Sequence, residues 1–218
     1  MVPIIVRANP VDTWKATIQA VASDGILSRD KRKLHNVIAV AESSRPIPAR
    51  IRAAHAGIVG AEPWQRTEQL YRTTENLTWK ESYRARLCSH DDSSNQLANA
   101  INLLARSPGT SSACCCFMRS RDIRRAHVLP SSVPCPVVVD FKIVEHLLQA
   151  TVLFRAQDVF RIGLPDLHHF AIIQREVLKG VIERRRSSDL GIGRLVFHLC
   201  VAFLQRSDLT QVAAAVQI

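Results

Sequence analysis

The sequence predicts an α/β (α+β) fold, a single domain over residues 1–218, and three observations point that way. Two β-rich runs, residues 137–141 and 150–154, flank a polar break at Glu145 and His146, the pattern of a strand pair. Residues 95–104 and 167–182 carry apolar side chains at helical spacing, and a further helical pattern lies near the start of the chain. A chain of 218 residues fits one domain and can bury roughly 70% of its unfolded surface, enough for a sizeable core. On the residues alone, the prediction is an alternation of helix and strand.

Composition narrows the class. With 47% hydrophobic and 22% charged residues the chain reads as globular, not disordered. No apolar run approaches the ~18 residues of a membrane span, so no membrane association is expected. Residues 1–7 lack the apolar stretch and small-residue cleavage site of a secretory signal, which sets the expectation of a cytoplasmic protein. The net charge of +10 suits an anionic partner such as a nucleotide phosphate or nucleic acid, and equally suits solubility alone. The cysteines, Cys88, Cys114, Cys115, Cys116, Cys135 and Cys200, match neither a zinc spacing nor a secreted disulfide scaffold. Reduced thiols and no metal are expected.

Along the chain, Trp14, Ile18 and Val21 define a helix over residues 10–25, with Asp12 or Thr13 as its N-cap and Gly25 as its stop. A charged stretch, residues 29–33, leads into the β-rich run 37–40. Residues 46–60 mix prolines with Ile47, Ile51, Ile58 and Val59 at loosely helical spacing, and residues 63–70 read as helical. Leu97, Ile101 and Leu104 form the stripe of the clearest helix, ended at Arg106 to Gly109. On a strand Cys114, Cys115 and Cys116 would alternate faces. They could not then close on one metal, and they read as small buried residues. Residues 163–166 read as a loop before a core helix with Phe170, Ile173, Val177 and Val181 on one face. Its His168 and His169 point about 100° apart, which argues against a metal clamp. Residues 184–188 read as a solvated connection.

The strand pair delivers a thiol, a cation and two carboxylates to one junction: Cys135 between two prolines, Arg155 twenty residues later, then Asp158 and Asp166. The Pro-Cys pair, that spacing and the run Arg155, Ala156, Gln157, Asp158, Val159, Phe160 resemble the thymidylate synthase and pyrimidine-nucleotide hydroxymethylase family. Its motif has the form R-S-x-D-V-F-x-G-x-P-x-N. The resemblance is firm over residues 134–166 and fair over 75–110 and 167–198. It implies a thymidylate synthase-like mixed β-sheet flanked by helices, with strands at residues 114–116 and 193–199, a homodimer packed sheet on sheet, a pyrimidine nucleotide substrate and 5,10-methylenetetrahydrofolate as cofactor; nucleic acid is then not the expected partner.

The same resemblance assigns roles. Cys135 becomes the nucleophile, where the residue alone reads as an inert buried thiol. Arg155 becomes the phosphate grip and the cation that lowers the thiol pKa, and Asp158 supports the folate side. Tyr83 matches the tyrosine of a Tyr-Gly-x-x-Leu stretch within residues 75–87, or is a core tyrosine with a satisfied hydroxyl. Arg29 matches an early-loop phosphate arginine, or belongs to a solvated charge run. Glu62 and Glu68 are the candidates for the general-base glutamate. Counting on from Asp158 without a gap, the base-reading asparagine falls on Asp166. With an extra residue at Arg161 or Ile162 the match moves to Leu167. Two elements depart from the family: residues 107–112 replace its paired arginines, with Arg119, Arg121, Arg124 and Arg125 following, and Ala202, Phe203 and Leu204 replace its His-x-Tyr sugar motif.

A pyrimidine C5 is a poor nucleophile until a thiolate adds at C6, which is the chemistry Cys135 would supply. An aspartate at the base-reading position suits cytosine, because it accepts from the exocyclic amine and shares a proton with N3, whereas an asparagine suits uracil. The expected activity is therefore 5-hydroxymethylation of CMP or dCMP. The alternatives are methylation of dUMP by a thymidylate synthase and a non-catalytic nucleotide- or RNA-binding member of the family.

Overall fold

A computed structural model describes residues 2–75, 77, 81–89, 94–126, 133–186 and 189–218. Met1, four residues of the 75–87 stretch (76 and 78–80) and Ser187 and Ser188 of the 184–188 connection lie outside the described residues.

The strand pair is a hairpin of β5 (Pro136–Val144) and β6 (Leu147–Phe154), with Val144 opposite Leu147. Its two turn residues, Glu145 and His146, have φ of 49° and 61°. Two left-handed residues give the turn twist that a two-residue hairpin needs, and here it is achieved without glycine. The hairpin joins one mixed sheet completed by β1 (Ile4–Arg7), β2 (Ile26–Ser28), β3 (Lys31–Ala41), β4 (Cys114–Cys116), β7 (Gln157–Asp158) and β8 (Gly191–Gln205). The order is β1-β3-β8-β6-β5-β4, with β2 paired to β3 and β7 to β8. β8 runs antiparallel to β3 and parallel to β6, so the longest strand forms the middle of the sheet.

The charged residues 29–33 are part turn and part strand. Arg29 and Asp30 make the tight turn between β2 and β3, and Lys31, Arg32 and Lys33 enter the sheet opposite Gln205, Leu204 and Phe203. Pairing with β8 outweighs the local polarity, which is tolerated because these side chains are only half buried.

The helices are α1 (Pro10–Asp24), α2 (Ala49–Val59), α3 (Glu62–Arg72), α4 (Tyr83–Cys88), α5 (Gln96–Arg106), α6 (Ser120–Arg125), α7 (Gly163–Arg185) and α8 (Val212–Val216). α1 is capped by Asn9 and not by Asp12 or Thr13: the Asn9 side chain accepts the Asp12 N–H at 3.0 Å, and Pro10 takes the first helical position, where its missing N–H is harmless. Residues 163–166, expected as a loop, are the first turn of α7, since Pro165 is compatible with a helix start. At Gly163 an added Cβ would come within 3.3 Å of Trp14, so the glycine lets α7 start against α1.

α1, α5 and α7 pack on one face of the sheet. Val139, Phe141, Leu148, Ala150, Val152, Phe154, Leu195, Phe197 and Leu199 point to that face and are buried. Alternate residues on the same strands, Val138, Leu153, Val196 and His198, are half buried on the other face. That alternation corrects one expectation about the cysteines. Cys115 is buried, but Cys114 and Cys116 project to the uncovered side of the edge strand β4 and are exposed. Among the described residues no helix is long and apolar enough to cross a membrane.

Candidate active site

Cys135 is held at the head of β5 by the prolines on both sides, which restrict the backbone around it. The hairpin brings the end of β6 back alongside. The Arg155 N–H donates to the Cys135 carbonyl at 3.0 Å. The Arg155 side chain continues along the same segment, with Nε donating to the Pro134 carbonyl at 3.1 Å and Nη2 to the Val133 carbonyl at 3.3 Å. The guanidinium that the sequence places twenty residues after the thiol is thus bonded to the backbone just before Cys135, and Arg155 is not among the residues that line the cleft at Cys135.

The half-buried Cys135 opens onto a cleft of about 240 Å³, lined also by Arg66, Thr67, Leu70, Tyr83, Gln157, Asp158, Ile162, Asp166 and Phe203. Three elements converge there. β7 pairs with β8 and sets Asp158 beside Phe203, the first turn of α7 presents Asp166, and α3 and α4 close the far side. Asp166 is 3% exposed and forms the inner end of the cleft. Tyr71 Oη donates to its Oδ1 at 3.0 Å and Gln157 Nε2 to its Oδ2 at 2.9 Å. The rings of Tyr71 and Tyr83 meet edge to face at 5.1 Å, and Tyr83 Oη accepts the Cys135 N–H at 3.4 Å. Two polar contacts, Cys135 to Tyr83 and Tyr71 to Asp166, are thus bridged by the packing of the two tyrosine rings.

Burial, and then the neighbouring acidic groups, push the Tyr71 and Tyr83 pKa values well above the ordinary phenol range. Both remain protonated hydroxyls at neutral pH and can serve as donors. Burial raises the Asp158 pKa, although the Arg161 N–H, 3.1 Å from its Oδ1, opposes the shift.

No protein-family model matches the chain, and no curated protein matches it. The site must be read from its own geometry.

Cys135, Tyr83, Asp158 and Asp166, all singled out in the sequence, share the cleft. Leu167 does not: it lines a separate small cavity beside Trp14, so of the two alternatives it is Asp166 that faces Cys135. Arg29 is exposed at the tip of the β2–β3 turn and is not among the cleft's lining residues. Neither glutamate candidate lines the cleft. Glu62 pairs with Arg66 at 2.9 Å and Glu68 with Arg72 at 3.0 Å along α3. Arg119 and Arg121 are engaged elsewhere, with Glu81 at 2.7 and 2.8 Å. Glu81 also meets Arg86 at 3.1 Å, and Arg86 makes two bonds to Asp122, at 2.5 and 3.0 Å. This largely buried ion network fixes α4, and with it Tyr83. Arg124 is exposed on α6, and the Arg125 side chain lies outside the described residues. No group of three or more His, Cys, Asp or Glu among the described residues could hold a metal.

Arg66, Thr67, Leu70 and Gln157 in the cleft wall, and Tyr71 behind Asp166, are residues to which the sequence assigned no role. The helix read over residues 63–70 stops one residue short of Tyr71, which shares a face with Thr67 and Leu70. Gln157 sits at the variable position of the motif, and Phe203 at the middle position of the segment that stands in place of His-x-Tyr.

Proposed function

We propose that the protein is a cytidine nucleotide 5-hydroxymethylase of thymidylate synthase type, acting on CMP or dCMP as a homodimer. The observation that carries this reading is that Cys135 and Asp166 face one cleft, joined through Tyr83 and Tyr71. A pyrimidine lying between them would meet the thiol at C6 and the carboxylate at its amino edge. The Cys135 thiolate adds to C6 and the electron pair moves to C5. Asp166 accepts from the exocyclic amine and exchanges a proton with N3, which favours the addition. Arg155 adjoins Cys135 through the backbone, and its guanidinium, bonded to the Pro134 and Val133 carbonyls, would have to turn toward the cleft to stabilise thiolate or hold phosphate.

Leu70, Ile162 and Phe203 beside Asp158 fit a flat heteroaromatic ring with N–H donors, as methylenetetrahydrofolate has. When bound, that cofactor supplies the one-carbon unit. The half-buried apolar side of β5, β6 and β8, with Val138, Leu153 and Val196, suits a second copy.

One observation favours a second reading. Arg119 and Arg121 are held by Glu81, so they do not replace the absent paired arginines, and a scaffold that binds nucleotide without turnover would tolerate that loss. Incubation with labelled methylenetetrahydrofolate and CMP, dCMP or dUMP separates the cases. A hydroxymethyl product from CMP or dCMP is expected. Dihydrofolate formed from dUMP alone would identify a thymidylate synthase, and calorimetric binding without any product would favour the non-catalytic reading.

A further inference from the structure

The geometry points to Gln157 as a second specificity-determining residue, one that accepts a hydrogen bond from the exocyclic amine of cytosine beside Asp166. Gln157 is 3% exposed, and its backbone is paired with Ala202 in the sheet, so its side chain starts from a rigid position. Its Nε2 donates to Asp166 Oδ2 at 2.9 Å. A carboxylate only accepts, so this contact fixes which way the amide faces: the NH₂ toward Asp166 and Oε1 away from it. Oε1 has no donor among the described residues. It is not fully enclosed, and Gln157 lines both the cleft and the small cavity beside Trp14. An acceptor held rigidly at a cleft without a protein donor calls for an explanation.

A ligand donor supplies that explanation. The inner end of the cleft then presents the carboxylate of Asp166 and the amide oxygen of Gln157 as neighbouring acceptors. The cytosine amine carries two N–H groups and can give one to each. Uracil places a carbonyl oxygen at the same position, so its lone pairs would face two acceptors. Reversal of the amide, the usual way a glutamine adapts, would turn its oxygen onto the Asp166 carboxylate. Tyr71 reinforces the arrangement by donating to the other carboxylate oxygen, and so holds Asp166 in place without touching Oε1.

This inference rests on the reading that the cleft takes a pyrimidine nucleotide, and the test separates the two. Calorimetric titrations with CMP and UMP give the affinity ratio for the wild-type protein, Gln157→Met and Gln157→Asn. The expected result is a wild-type preference for CMP that falls roughly ten- to hundredfold in Gln157→Met. Gln157→Asn withdraws the amide by one methylene and is expected to lose preference as well, which preserves the test if the methionine variant does not fold. A wild-type preference that survives in the folded Gln157 variants overturns the role of Gln157 and leaves the nucleotide reading standing. No binding of either nucleotide to the wild-type protein overturns both.

Discussion

The Arg155 N–H donates to the Cys135 carbonyl at 3.0 Å, while the Arg155 side chain reaches the carbonyls of Pro134 and Val133. One residue thus ties the end of β6 to the segment that carries the thiol. Side chain-to-carbonyl bonds of this kind contribute about 0.5–1.5 kcal/mol each, so Arg155→Ala is expected to destabilise the protein by about 1–3 kcal/mol in urea unfolding. Arg155→Lys keeps the charge but loses the planar fork that spans two carbonyls, and should recover little of the loss. Full recovery by lysine would show that charge, and not geometry, is what the site requires.

The Asp166 carboxylate is predicted to set base preference. With asparagine the site gains an amide donor that suits O4 of uracil, so Asp166→Asn should lower the ratio of cytosine to uracil turnover roughly ten- to hundredfold. Competition between CMP and dUMP in one assay measures that ratio directly. An unchanged ratio would mean that the base is read through another residue.

His168 and His169 lie in the first two turns of α7, both buried. Burial and the nearby Arg52 and Arg72 lower the His168 pKa to about 4; burial, His168 and the same arginines lower that of His169 to about 3. Above pH about 6.5 both histidines are neutral in the folded and unfolded chains, and stability is unaffected. As pH falls below that value the unfolded chain takes up protons that the folded chain refuses. Stability should therefore decline steadily from about pH 6.5 down to the folded-state pKa values of about 4 and about 3. Urea midpoints measured at pH 8, 6 and 5 report the decline, and His169→Gln should flatten it. The contrary outcome is a variant slope equal to that of the wild-type protein.

The β5–β6 turn holds Glu145 and His146 at positive φ. Asparagine and glycine adopt that conformation more readily, and the expected gain from E145N/H146G is about 1 kcal/mol, read as a higher thermal midpoint. The His146 contact to Asp189, at 3.4 Å, is exposed and should subtract little.

What could be read from the sequence is what depends on near neighbours. The β5–β6 hairpin, the stripe of α5 and the alignment of Cys135 with Arg155 and Asp158 follow from local periodicity and short spacings. Tyr71 meets Asp166 from 95 positions away, and Glu81 draws Arg119 and Arg121 away from the roles their proximity to the family's arginine region suggested. Such pairings are fixed only when α3, α4 and α7 pack together. Cys114 and Cys116, expected as small buried residues, are exposed on the edge strand β4, because burial follows the alternation of the strand and not the residue type.

Reversible addition of a thiolate to C6 makes the C5 hydrogen exchangeable, because the adduct takes a proton from solvent at C5 and can lose either hydrogen when the thiolate departs. Exchange into CMP or dCMP in deuterated water, followed by mass spectrometry, therefore reports on Cys135 without any cofactor. The wild-type protein should deuterate C5 of the cytidine nucleotide, and Cys135→Ser should not. No exchange into CMP, dCMP or dUMP with the wild-type protein, or equal exchange in Cys135→Ser, would contradict the assignment of Cys135 as the nucleophile.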